Sequence, residues 1–123
     1  MRRDLDLIRN LMVQMEAHPG TELRDFTAVP PDGVSQEVLD AHLRLIIESE
    51  LVTGKPLETN SGLYGVFLFR ITSKGHDFLE LARNDTNWSR AVKELKTKAL
   101  PATVGLVMDL LKKSALNAIG LSG

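Results

Sequence analysis

The segment from Ser35 to Leu81 constrains the fold most, because its pattern describes one complete supersecondary unit. Apolar residues at helical spacing predict a helix over Ser35–Ser49, with Ser35 as its N-cap. Two apolar runs follow, Leu51–Leu57 and Tyr64–Ile71, and the polar, glycine-containing interval between them predicts an antiparallel hairpin. A further helix begins after the second run. The order helix, strand, strand, helix is typical of a winged helix, in which the hairpin is the wing.

The remaining segments are predicted to be helical, with one exception. The spacing of Leu5, Ile8, Leu11, Met12 and Met15 indicates a first helix. The exception is Thr21–Val29, which the pattern leaves open between a brief strand and an abbreviated second helix. Pro101 is expected to begin the last helix, as a favoured first helical residue. Helices outside the central unit are therefore predicted over about residues 3–17, 72–83, 86–99 and 101–119.

These elements predict an α+β fold that is mainly α. We expect a winged helix-turn-helix with a β-hairpin wing and additional C-terminal helices. Residues 1–84 would form the winged-helix core. Residues 85–123 would be C-terminal helices of the same domain, which either pack on the core or mediate dimerisation. The last helix is apolar around much of its circumference, which favours burial against a second subunit; an amphipathic helix on a membrane surface is a weaker alternative. The predicted dimer contacts are Val104, Val107, Met108, Leu111 and Ala115.

The sequence lacks most features that would indicate catalysis. It contains no cysteine, which excludes disulfides, thiolate zinc sites and cysteine nucleophiles. His18, His42 and His76 are isolated and match no metal-ligand spacing. His42 lies on the apolar side of its predicted helix and is expected to be a packed, hydrogen-bonded side chain. We therefore predict no metal, no cofactor and no enzymatic activity. The first residues lack the apolar core of a signal peptide and no run is long enough to span a membrane, so the expected location is the cytoplasm.

Charge is distributed unevenly along the chain. Residues 1–62 carry six Arg and Lys against eleven Asp and Glu, whereas residues 63–123 carry nine against five. Proteins that grip phosphates generally present a basic surface, which only the second half could supply. If the chain binds duplex DNA, the residues expected to contact it are Gln36, Arg44, Lys55, Arg90 and Lys93. If it binds a protein instead, the acidic helix face formed by Glu37, Asp40 and Glu48 is the expected contact.

Three blocks of sequence resemble a small bacterial and prophage family of unknown function. The first is Met1-Arg2-Arg3-Asp4-Leu5-Asp6-Leu7-Ile8-Arg9, and the second begins at His42-Leu43 and ends at Leu51-Val52. The third combines Thr72-x-x-Gly75-His76-Asp77-Phe78-Leu79 with Asp85-Thr86-x-Trp88. The resemblance covers most of residues 1–98. It implies a winged-helix-like fold and a bacterial or prophage setting, and it brings no catalytic or binding residues with it.

Two functional hypotheses follow from these observations. In the first, the chain is a small DNA-binding regulator that acts on duplex DNA as a homodimer. In the second, it is a winged-helix protein-interaction module that binds a host protein through its acidic helix face, without binding DNA. The DNA-binding regulator is the expected function, because winged helices mostly bind DNA, and the protein-interaction module is the alternative, which the charge of the helix face favours.

Overall fold

A computed structural model describes residues 1–120 of the chain. The described residues form an α+β fold that is mainly helical, as predicted, with five helices and a two-stranded antiparallel sheet. In chain order the elements are α1 (Leu5–Ala17), α2 (Gln36–Glu48), β1 (Val52–Thr59), β2 (Gly62–Ile71), α3 (Ser73–Ala82), α4 (Asp85–Thr97) and α5 (Val104–Ala118).

The chain divides into two compact units. The first comprises Met1–His76 and the second begins at Asp77, inside α3. The predicted division into residues 1–84 and 85–123 of one domain stays a prediction, because compactness alone does not show which segments fold together. Residues 121–123 of that predicted C-terminal segment lie outside the described part of the chain.

In the first unit, α2 packs against α1 and against both strands of the hairpin. Each helix starts at a side-chain cap: the Asp4 carboxylate accepts a hydrogen bond from the Leu7 N–H, and the Ser35 hydroxyl accepts one from the Val38 N–H. These caps satisfy N–H groups that have no partner within the helix. The buried side chains that share this interior are Ile8, Leu11, Met12, Met15, Leu39, His42, Leu43, Ile46, Leu51, Val52 and Leu68.

The predictions for Thr21–Val29 were both wrong, because residues 18–35 contain neither helix nor strand. The segment makes a single backbone hydrogen bond to the hairpin, from the Leu23 N–H to the Phe69 carbonyl at 2.7 Å. The side-chain amide of Gln14 then bonds both backbone groups of Val29. Its N–H donates to the Val29 carbonyl and its oxygen accepts the Val29 N–H, each at 2.9 Å. Partners outside the segment therefore replace the regular ladder that a helix or strand would have supplied. The helix that a helix-turn-helix would place directly before α2 is absent from this stretch.

The hairpin has the predicted pairing, with a two-residue connection at Asn60-Ser61. Its register shifts twice, so that Phe69 and Tyr64 are extra residues of β2 opposite Thr53/Gly54 and Leu57/Glu58. Such bulges bend a strand and redirect the neighbouring side chains. Val52 and Leu68 are buried on the face that meets α2, and a Cβ added to Gly54 on this face would lie 2.8 Å from Ile47.

The second unit contains the remainder of α3 with α4 and α5, and α4 packs against α5. The Asn84 side chain caps α4, and the Phe78 and Trp88 rings meet edge to face with centroids 5.8 Å apart. The predicted start of the last helix at Pro101 was wrong. The helix begins at Val104, because the Thr103 hydroxyl accepts the Leu106 N–H at 3.0 Å and caps it there.

Candidate interaction surface

The polar face of α2 carries five residues that the sequence marked as candidate contacts. Gln36, Glu37 and Glu48 are exposed, whereas Asp40 and Arg44 are half-buried. Three of the five are acids, and Arg44 is the only Lys or Arg that α2 contains. The face is therefore acidic before any pairing is considered.

The two possible donors on this face are both engaged by carboxylates. The Arg44 guanidinium lies 2.9 Å from a carboxylate oxygen of Glu58 at the end of β1. The Gln36 amide donates to the Asp40 carboxylate at 2.9 Å along the same helix. Side chains that read base edges must offer free donors and acceptors to the groove. Here Arg44 and Gln36 would have to break these contacts before they could do so.

Lys55 lies on the hairpin, away from α2. It pairs directly with Phe67 across the two strands, and both side chains are exposed. Residues paired in this way point to the same side of a sheet. Lys55 therefore lies on the outer face of the hairpin, while the connection at Asn60-Ser61 carries no charge.

A groove runs beside β2 on the side where Asp40 lies. It has a volume of about 400 Å³ and is lined by Phe26, Thr27, Ala28, Gln36, Leu39, Asp40, Leu43, Tyr64, Gly65, Val66 and Leu68. The lining includes one carboxylate and no Lys or Arg. Most of these residues were not predicted to form a site, because the groove depends on the course of residues 24–29. The groove also depends on the bulge at Tyr64, which the pattern of apolar and polar residues along β2 does not indicate.

A smaller cavity of about 190 Å³ lies near the end of α1. Its lining includes Glu16, His18, Thr21 and His76. The His18 ring is occupied by an edge-to-face contact with Phe26, with centroids 5.7 Å apart. Within residues 1–120, no group of three or more His, Asp or Glu side chains is arranged to hold a metal ion.

Arg90 and Lys93 lie in the second unit and are exposed on α4. At the C-terminal end of the same helix, the C-cap residue Lys98 donates a 2.6 Å hydrogen bond to the Glu94 carboxylate. This hydrogen bond lowers the pKa of Glu94 below its ordinary value of 4.5; desolvation opposes the shift, and the charges of Lys98 and Lys113 reinforce it. The positive charge of Lys98 is thus partly neutralised at the end of this helix.

Four of the five predicted dimer contacts are already buried within a single chain. Val104, Val107, Met108 and Leu111 are at most 5% exposed, whereas Ala115 is exposed. The large apolar side chains exposed at this end are Leu116 of α5 and Ile119, the residue that follows the helix. Self-association through α5 stays a prediction, and it would have to use this exposed end. Among the described residues, no helix is both long and apolar enough to cross a membrane.

Comparison with known proteins gives a family but no activity. The chain is 27% identical over 122 residues to an "Uncharacterized protein" of Haemophilus influenzae, an alignment that covers 97% of this chain and 96% of that protein. No solved structure matches the chain significantly. Residues 2–101 match a family described as "Hypothetical protein (DUF2513)". Because the match covers most of its length, the chain belongs to the DUF2513 family of hypothetical proteins.

Proposed function

We propose that this protein is a protein-interaction module whose first unit has a winged-helix-like arrangement. The order of α2, β1, β2 and α3 supports this arrangement, with α2 in the position of a recognition helix and the hairpin as the wing. The fold alone does not separate DNA binding from protein binding. The side chains on α2 favour protein binding.

The observation that carries the proposal is the ion pair between Arg44 and Glu58. The pair neutralises Arg44, the only Lys or Arg of α2. The remaining charges of that face are Glu37, Asp40 and Glu48. Carboxylates near a phosphate backbone oppose binding, since phosphate neutralisation supplies most of the affinity for DNA. The same carboxylates are complementary to a basic protein surface.

The first test is a fluorescence-anisotropy titration with mixed-sequence duplex DNA at about 50 and 200 mM salt, where counterion release is diagnostic. We expect no binding at either salt concentration. Binding at low salt that collapses at high salt would overturn the proposal.

The second test isolates a partner by affinity capture and compares how well variants of this protein capture it. Charge reversal with Asp40→Lys and Glu48→Lys should abolish capture, while Glu80→Lys, an exposed acid of the second unit, should leave it unchanged. Capture that ignores the charge of α2 would contradict the acidic face as the contact.

A DNA-binding regulator is the second candidate, and the exposed bases of α4 favour it. Arg90 and Lys93 would contact phosphates, and a homodimer would present two such helices. This candidate predicts salt-sensitive DNA binding that weakens on Arg90→Ala and Lys93→Ala and is not weakened by Asp40→Lys. The same titration therefore separates the two functions.

A further inference from the structure

The close approach of Gly54 and Phe67 shows which backbone groups of β2 face β1 and which face its free edge. The Phe67 carbonyl oxygen lies so close to Gly54 that a Cβ at that position would overlap it. The backbone groups of Phe67 therefore face β1. Because successive residues of a strand direct their N–H and C=O groups to opposite edges, those of Val66 and Leu68 face away from β1.

The edge is left open because the neighbouring segment leaves it after one hydrogen bond. Leu23 donates to the Phe69 carbonyl, and the chain then turns, with the Phe26 N–H bonded to the Leu23 carbonyl at 3.0 Å. Farther on, Gln14 holds Val29 at α1. Within the described residues, no other backbone hydrogen bond joins residues 24–34 to β2.

The groove between that segment and β2 has the chemistry of a peptide site. Leu39, Leu43, Val66 and Leu68 supply apolar lining, and the 64% exposed Tyr64 lines it too. Its volume of about 400 Å³ falls within the range of roughly 300–1,000 Å³ for ligand pockets. Asp40 is its only charge, and Glu37 is exposed nearby on the same helix. An occupant with a Lys or Arg is therefore complementary to this groove, and an acidic occupant is not.

We propose that β2 receives an extended segment of a partner protein as an added strand in this groove. On the face of the added strand that meets α2, the segment carries apolar side chains, which enter the groove, and a Lys or Arg, which meets Asp40. An unpaired strand edge is a template for such pairing: main-chain hydrogen bonds supply affinity, and alternate side-chain positions supply specificity. The inference rests on the proposed function and names the class of partner.

The probe is a display library of random peptides about nine residues long, enough to span the edge of β2. Selection on the purified protein should enrich peptides in which apolar residues and a Lys or Arg share the positions of one strand face, at every second residue. A synthetic peptide from the selection should bind about tenfold more weakly to the Asp40→Lys variant, which corresponds to the loss of one charge-assisted contact. Asp32→Lys, an exposed acid outside the groove, is the matched control and should bind normally.

The backbone contact is tested separately. Val66→Pro removes the N–H at the free edge, while Val66→Thr keeps it and retains strand propensity. Binding should be lost in the first variant and kept in the second. Because Val66→Pro could also disturb the hairpin, the peptide is in addition N-methylated at alternate residues. Methylation in one register should abolish binding, and methylation in the other should not.

Strand addition would be overturned if no peptides were enriched, if the enriched peptides were acidic, or if binding tolerated methylation in both registers. Partner capture that survives Val66→Pro but is lost with Asp40→Lys and Glu48→Lys would do the same while leaving the proposed function intact. Salt-sensitive binding to duplex DNA is the distinct sign that the proposed function itself has failed.

Discussion

The backbone N–H of Asp4 donates a hydrogen bond to Nε2 of the fully buried His42 at 2.9 Å. Nδ1 of the same ring lies 2.8 Å from the Val38 carbonyl, which can only accept. The proton of the ring therefore lies on Nδ1, and Nε2 accepts the hydrogen bond from the N-cap residue of α1. Since the Asp4 carboxylate also caps α1, one residue both starts that helix and joins it to the interior of α2.

Replacing His42 should destabilise the first unit. His42→Leu leaves the Asp4 N–H without its partner, and we expect a loss of about 1–3 kcal/mol in the free energy of unfolding. His42→Gln keeps an acceptor on the side chain and should cost less. His76→Leu, at an exposed histidine, should change stability by no more than about 0.5 kcal/mol. Urea unfolding measures all three, and equal losses for Leu and Gln would contradict the acceptor role.

Two helical glycines should respond in opposite directions to alanine. A Cβ on Gly75 would collide with the Leu51 carbonyl and lie 2.7 Å from Ile71, whereas a Cβ on Gly105 would meet nothing. Gly75→Ala should therefore lower the free energy of unfolding by about 1–3 kcal/mol or prevent folding. Gly105→Ala should raise the free energy of unfolding by up to about 1 kcal/mol, because Ala has the higher helix propensity. Thermal unfolding compares them, and a neutral Gly75→Ala would show that the backbones can separate at no cost.

Removing the Gln14 amide should loosen residues 24–34 without unfolding the chain. Gln14→Ala deletes both hydrogen bonds to Val29, and a partly exposed pair of this kind is worth about 1–2 kcal/mol. Trypsin should then cleave after the exposed Arg24 more rapidly than in the wild type. Gln36→Ala is the matched control, because that amide bonds only along its own helix. Equal cleavage rates in the two variants would contradict the anchoring role.

The Glu94–Lys98 pair should make stability depend on pH in the acidic range. Because the folded-state pKa of Glu94 is lowered from 4.5, the carboxylate stabilises the fold above that value, and the contribution disappears as the pH falls through the folded pKa. The stability difference between wild type and Glu94→Gln should therefore be constant above pH 4.5 and shrink below it. Lys98→Gln should remove the same contribution, with no further loss in the double variant. A difference that persists at low pH would assign the effect to packing.

The candidate site was only partly predictable. The acidic face of α2 follows from residue spacing, so Glu37, Asp40 and Glu48 could be identified without coordinates. The neutralisation of Arg44 could not, because its partner Glu58 lies on another element and no local pattern connects them. The groove beside β2 depends on where Leu23 and Val29 are anchored, and both anchors involve distant residues.

The sequence by itself determined the local structure of this protein. Apolar periodicity placed the helices and the hairpin, and short side chains such as Ser35 and Asn84 set helix starts, because these effects act over a few residues. Tertiary structure alone decided the path of residues 18–35, the bulges at Tyr64 and Phe69, and the burial of Val104 and Val107. Each of these depends on hydrogen bonds or packing between segments far apart in the chain, whose free energy no local pattern records.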